Sequence, residues 1–213
     1  VSVDDPECAA ICASLRNISA TTVIPISGTT PVSGGVYVEN GSLINDIKGN
    51  REAVLPISGV TTLPGDHNAQ NAAAAYAAAW AAGVEQYDII NGLQSYPGLA
   101  HRQQLVARID GVIYVNDSKA TNPEAASRAL SCYDGIYWIA GGRAKGGVLG
   151  CLTPFLPRVR HAFLIGEAAA PFAASLGKAI YTRISGTLNA ATREAHAQAQ
   201  QESPDGAVVL LSP

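Results

Sequence analysis

Positions 116 to 122 read Asn-Asp-Ser-Lys-Ala-Thr-Asn and are followed by Pro123 and Glu124. A carboxylate (Asp117), an ammonium (Lys119) and a hydroxyl (Thr121) sit together behind an apolar run at 112–115. Part of this is ordinary helix-start chemistry. Asn122 suits an N-cap, Pro123 the first helical position, and Glu124 the first turn. Those roles leave Asp117, Lys119 and Thr121 without a structural need. At a strand end, under the partial positive charge of a helix N-terminus, they suit a nucleotide ribose and an anionic substrate.

Three further groups stand out. Gly141-Gly142-Arg143-Ala144-Lys145-Gly146-Gly147 sets four glycines around two cations, a flexible positive edge or simply a glycine-rich turn. It is not a phosphate-cradling P-loop, because GxxxxGK followed by Ser or Thr occurs nowhere in the chain. Leu63-Pro64-Gly65-Asp66-His67-Asn68-Ala69-Gln70-Asn71 opens a helix, with Asn68 and Asn71 three apart on one face. Two carboxamides there could bond an adenine edge, or could serve only capping and solvation. Gly98-Leu99-Ala100-His101-Arg102 follows a Tyr-Pro-Gly turn, from which Arg102 could reach a nucleotide.

The elements that must hold these groups fall into two textures. From 1 to about 95 the pattern predicts a helix from Pro6 to about Leu15, short strands at 23–27, 36–39, 42–47 and 54–57, and a hairpin turn at Asn40-Gly41. An alanine-rich helix over 66–82 ends at Gly83, and a further helix lies near 84–94. Alanine makes a thin helix that can pack close to its neighbours. From 96 onward, strands at 105–109, 112–115, 136–140, 161–165, 179–182 and 207–211 alternate with helices at 123–130, 148–157, 167–176 and 188–202. This alternation predicts an α/β, Rossmann-like, doubly wound parallel sheet, with ligands beyond the C-terminal ends of its strands.

Composition narrows the classes. In 213 residues, 47% hydrophobic and only 15% charged with net charge −3, there is core enough for one or two domains. There is no basic field for nucleic acid and no polybasic patch for a membrane surface. No apolar run reaches the ~18 residues a membrane helix needs. The cysteines at 8, 12, 132 and 151 lack a CxxC pair and read as small buried hydrophobes, which fits a cytoplasmic, reducing setting and no metal site in the chain. Both ends read as cuts within a longer protein: the chain begins without Met and stops on a strand.

In this order and spacing the four groups resemble the Mur ligases of peptidoglycan synthesis. The stretch at 116–122 looks like the form found in the member that adds D-glutamate. The helix start at 63–71, the segment at 98–102, the Gly-Gly-x-x-Lys loop at 141–145 and the closing Leu-Leu-Ser-Pro also match. The resemblance implies that residues 1–95 are the rear of a central ATP-binding domain, and that 96–213 are a C-terminal domain lacking its last part. It implies ATP-dependent joining of D-glutamate to UDP-MurNAc-L-alanine through an acyl phosphate, with Mg²⁺. By the same likeness Asn68 and Asn71 would contact adenine, Asp117 the ribose, and Arg102 the nucleotide. Lys119, Thr121 and Lys145 would face the D-glutamate and the reacting phosphate. Many relatives carry GGDGK where this chain has Gly-Gly-Arg-Ala-Lys, which puts a role for Arg143 in doubt. The P-loop, the metal ligands and the UDP-binding domain expected of the family are not in this sequence, so the 213 residues alone are expected to be inactive. The alternatives are another Mur or folylpolyglutamate-type amide ligase, or a non-catalytic Rossmann-like nucleotide-binding module.

Overall fold

The computed structural model of the chain describes residues 1–18, 22–143, 149–177, 179–202 and 205–213. The chain divides into two compact units, Val1–Pro97 and Gly98–Pro213.

The first unit begins with helix α1 (Pro6–Arg16), capped by the Asp5 carboxylate, which accepts the Cys8 N–H at 2.8 Å. Strands β1 (Ile26–Ser27), β2 (Val36–Glu39), β3 (Ser42–Asn45) and β4 (Glu52–Pro56) form a sheet in that order. β1 and β2 are parallel, and the other pairs are antiparallel. Asn40 and Gly41 both take positive φ in the β2–β3 turn, the backbone a two-residue hairpin needs. Helices α2 (Asp66–Ala81) and α3 (Gln86–Ser95) complete the unit. Ala72, Ala73, Tyr76 and Ala77 of α2 are buried in one core with Val36, Leu43 and Leu55 of the sheet. The helix approaches β1 very closely at its start: a Cβ added at Gly28 would lie 2.6 Å from the Asp66 carbonyl oxygen. Thin alanine packing and a glycine at the crossing belong together.

The second unit is the α/β, Rossmann-like layer. Its sheet runs β5-β6-β10-β7-β8-β9, made of β5 (Gln104–Ile109), β6 (Val112–Asn116), β7 (Ile136–Gly141), β8 (Val159–Ile165), β9 (Tyr181–Gly186) and β10 (Val208–Leu211). All neighbours are parallel except the β5–β6 hairpin. Alternation along β7 serves both faces. Ile136, Trp138 and Ala140 join a core with α4 (Pro123–Leu130), with the 3-10 segment Leu149–Arg158 and with α5 (Ala169–Leu176). Tyr137 and Ile139 join the opposite core, where Ala191, Ala195 and Ala199 of α6 (Leu188–Glu202) repeat every four residues.

Some boundaries depart from expectation for identifiable reasons. The helix expected over 148–157 is a 3-10 run over Leu149–Arg158, because Pro154 and Pro157 remove the N–H groups an α-helix needs. The strand expected at 179–182 runs over Tyr181–Gly186, in register with β8. Among the described residues no helix is long and apolar enough to cross a membrane.

Topology locates the place where a ligand would sit. The chain leaves β6, crosses by α4 to β7, continues outward to β9, and returns by α6 to β10, inserted between β6 and β7. The order reverses at β10, and crevices at the C-terminal ends of strands around such a point bind ligands. The stretch 116–122 ends β6, Gly141 ends β7, and Ser212 follows β10.

Candidate functional site

The loop after β6 is built by its own side chains first. Asn122 accepts the Ala125 N–H at 2.7 Å, so the cap and Pro123 start α4 where the sequence predicts. Asn116 turns the chain off the strand, its Oδ1 accepting the Ser118 N–H at 3.0 Å. The Ala120 N–H donates to the Asp117 carbonyl at 2.9 Å, closing a turn over Lys119. Lys119 and Thr121 are exposed along this turn.

Asp117 behaves differently from its neighbours. It is only 4% exposed. Its Oδ1 accepts the Gln103 backbone N–H at 3.1 Å, and its Oδ2 accepts the Ser212 hydroxyl at 3.1 Å. Burial pushes the carboxyl above the usual aspartate range, offset only in part by these two bonds and by the charge of Arg102. Each carboxylate oxygen keeps a further lone-pair direction, so the group can accept one more donor while anchored from both sides.

The turn at 98–103 is fastened to this loop. The Lys119 N–H donates to the His101 carbonyl at 2.9 Å, and the Asn116 amide lies 3.1 Å from His101 Nδ1. His101 and Gln103 both have positive φ (65° and 44°), which is costly for residues with a Cβ. The bonds from 116–119 and the Asp117 carboxylate hold that conformation, with Arg102 exposed between the two strained residues. Arg102, Asp117, Lys119 and Thr121 therefore lie on one platform, whose base is Ser212 and the end of β10. Tyr133 closes one side of it: its hydroxyl reaches Gln103 Oε1 at 3.5 Å, and burial raises its pKa well above that of an ordinary phenol.

Beside the platform, Gly141 and Gly142 both take positive φ (119° and 100°) at the end of β7. A Cβ on Gly141 would fall 2.2 Å from the Ile165 carbonyl oxygen, so glycine is required there. Arg143 is exposed and lies 3.6 Å from Glu167, a surface pair of small energetic weight. Lys145 lies outside the described residues, as do the remaining glycines of that loop.

In the first unit, Asn68 is 9% exposed, and its amide donates to the Pro64 carbonyl at 2.8 Å. Its oxygen accepts the Asn71 amide at 3.2 Å. Asn71 is exposed and keeps one N–H and its carboxamide oxygen for a ligand, the adjacent donor and acceptor that an adenine edge matches. Among the described residues no group of three His, Cys, Asp or Glu side chains could hold a metal ion. Asp117, the one carboxylate in the loop at 116–122, is buried, which leaves little room for the water shell Mg²⁺ usually keeps.

Gln103, Trp138 and Tyr133 are not singled out by the sequence, and Ser212 enters only within the closing Leu-Leu-Ser-Pro, with no role of its own. Ser212 is 95 positions from Asp117 and Gln103 is 14, and no local pattern marks a partner across such gaps. Beyond the Leu-Leu-Ser-Pro likeness, the available signal was that strands 112–115 and 207–211 could be neighbours in a parallel sheet, which brings their ends together.

No family model matches the chain. Every residue of it aligns with proteins named UDP-N-acetylmuramoylalanine–D-glutamate ligase: 48% identical in Rhizobium meliloti and 47% in Agrobacterium fabrum, covering 46% and 45% of those proteins. The chain thus spans about half the length of the curated relatives it matches. Among solved structures, MurF from Acinetobacter baumannii superposes on 99% of the chain and 48% of its own with a TM-score of 0.66 at 21% identity. The bifunctional folylpolyglutamate synthase/dihydrofolate synthase of Yersinia pestis superposes on 98% of the chain and 48% of its own, with a TM-score of 0.57 at 19% identity. These two likenesses concern the fold; the sequence likeness is, from end to end, to the D-glutamate ligases.

Proposed function

We propose that this chain is part of a Mur ligase that joins D-glutamate to UDP-N-acetylmuramoyl-L-alanine at the expense of ATP. The observation that carries this reading is identity of 45–48% to ligases of that name across every residue of the chain. In it, Val1–Pro97 is the rear of the central ATP-binding domain and Gly98–Pro213 belongs to the C-terminal domain.

The reaction needs little covalent chemistry from the protein. A carboxylate oxygen of the UDP-linked substrate attacks the γ-phosphorus of ATP and ADP leaves. The D-glutamate amine then attacks the acyl phosphate, and phosphate departs carrying one of the original carboxylate oxygens. Such a sequence is accelerated by alignment and by cations near the developing charge. Asn71 would read the adenine with its free donor and acceptor, held in place by Asn68. Arg102 would lie against the nucleotide, and Asp117 would accept a ribose hydroxyl through its remaining lone pair. Lys119, Thr121 and Lys145 would face the D-glutamate and the transferred phosphoryl group. The resemblance puts the principal Mg²⁺ ligands in the parts of the ligase beyond this chain.

The test is a panel of amino acids offered to the full-length ligase that carries this chain, with ATP and UDP-MurNAc-L-alanine. Product with D-glutamate alone supports the reading. Product with a different amino acid would move the protein to another amide ligase of the same fold, and no ATP consumption with any acceptor would leave a binding module. The 213-residue chain alone is expected to form no product.

A further inference from the structure

Ser212 is fully buried at the end of the central strand β10, and its three polar groups are all engaged. Its N–H donates to the Ile139 carbonyl at 3.1 Å, its carbonyl accepts the Trp138 indole N–H at 2.8 Å, and its hydroxyl donates to Asp117 Oδ2 at 3.1 Å. The backbone bonds fix the residue, so the hydroxyl is aimed rather than free to wander. The Trp138 side chain that holds the carbonyl is among the largest fully buried ones and packs in the α4 core. The chain therefore places a rigid donor, from the middle of the sheet, under one oxygen of a buried carboxylate. Gln103 N–H takes the other oxygen from the opposite side.

Stability alone does not call for this arrangement. A buried carboxylate held by two neutral donors is a poor substitute for apolar packing, and burial works against its charge. What the arrangement does supply is an ionised group of fixed orientation beneath the exposed Arg102 and Lys119. We propose that Ser212 is a positioning residue for nucleotide binding: with Trp138 behind it, it orients the Asp117 carboxylate and so locks the turn at 98–103 to the loop at 116–122. This rests on the ligase reading, in which Asp117 faces the ribose. Loss of the hydroxyl frees one carboxylate oxygen and loosens the Arg102 turn, while leaving Lys119 and Thr121 in place for the later step.

The experiment uses the full-length ligase with Ser212→Ala, Ser212→Thr and Trp138→Phe, each checked for folding by thermal unfolding. A hydrogen bond to a charged group is worth a factor of about ten to one hundred. Ser212→Ala is expected to raise the KM for ATP by about that factor, with kcat and the KM for D-glutamate changed less than about two-fold. The acid limb of kcat/KM for ATP should move to higher pH, since the lost bond had favoured the ionised carboxylate. Ser212→Thr, which keeps the hydroxyl, should restore most of the ATP affinity. If Ser212→Ala does not fold, Trp138→Phe carries the test and should raise the ATP KM in the same direction by a smaller factor. A folded Ser212→Ala enzyme with unchanged ATP KM and unchanged pH profile overturns the proposal and leaves the ligase reading standing. So does a folded Trp138→Phe enzyme with unchanged ATP KM, where that variant carries the test. A wild-type enzyme that ligates nothing overturns the ligase reading itself.

Discussion

Replacing Asp117 with Asn and with Ala separates the charge of this residue from its geometry. Asn keeps an oxygen for the Gln103 N–H, and its amide can donate to a rotated Ser212 hydroxyl, so both anchors survive. Ala removes both and takes away the carboxylate acceptor of the Gln103 N–H and of the buried Ser212 hydroxyl, at a cost of about 1–3 kcal/mol each. Asp117→Ala should therefore destabilise the second unit by about 2–6 kcal/mol, a fall in Tm of roughly 10 °C or more for a unit of this size. Asp117→Asn should leave Tm at neutral pH unchanged or higher, because it removes a carboxylate whose charge burial disfavours. The pH dependence has a definite sign. The folded carboxyl binds its proton more tightly than the unfolded one, so the wild type loses stability as pH rises from the ordinary value of 3.8 through the folded value. The advantage of Asn should be full at pH 7 and vanish below about pH 3.8. Trp138 reports this unit directly, in a Trp80→Phe background that silences the other indole. If Asn destabilises at pH 7 as much as Ala does, the charge itself holds the turn and the reasoning fails.

Gly141→Ala should cost about 3 kcal/mol or more, read by Trp138 fluorescence, since its Cβ would collide with the Ile165 carbonyl at a backbone φ of 119°. In the first unit, burial alone would raise the pKa of Asp4, but bonds from the Gly28 N–H, Ser27, Gln70 and Thr29 lower it on balance. Its contribution to stability is present above pH 3.8 and lost as pH falls through the lower folded value. Asp4→Ala should cost about 1 kcal/mol at pH 7, after allowance for solvent screening, and progressively less as pH falls below 3.8, followed through Trp80. Asn71→Ala in the full-length enzyme should raise the KM for ATP by about three- to ten-fold through the loss of a donor and an acceptor, with kcat near that of the wild type.

How much of this was legible in the sequence depends on how local each feature is. Asn122, Pro123 and Glu124 announce the start of α4 because capping is settled within four residues. Asn40-Gly41 announces its hairpin for the same reason. The alternating texture after 96 was enough for a parallel sheet, since its buried strands and alanine-faced helices are continuous in sequence. The order of strands was not legible. Nothing local says that β10 inserts between β6 and β7, and that insertion is what brings Ser212 under Asp117. Nor did the sequence show that Asp117 points inward while Lys119 and Thr121 remain outside. Three polar residues in one loop look equivalent until the turn at 98–103 is folded against them. The 3-10 segment at Leu149–Arg158 has the apolar content of a helix, and only its two prolines argue against α geometry.

The most direct measurement follows the oxygen atoms in the proposed reaction. The full-length ligase is supplied with ATP, D-glutamate and UDP-MurNAc-L-alanine carrying an isotopically labelled carboxylate, and both products are weighed by mass spectrometry. The account predicts one labelled oxygen in the released phosphate for each D-glutamyl amide formed, and no transfer when ATP is withheld. Amide formed without label in the phosphate would contradict the acyl-phosphate route. Absence of any D-glutamyl product would contradict the assignment of this chain to a D-glutamate ligase.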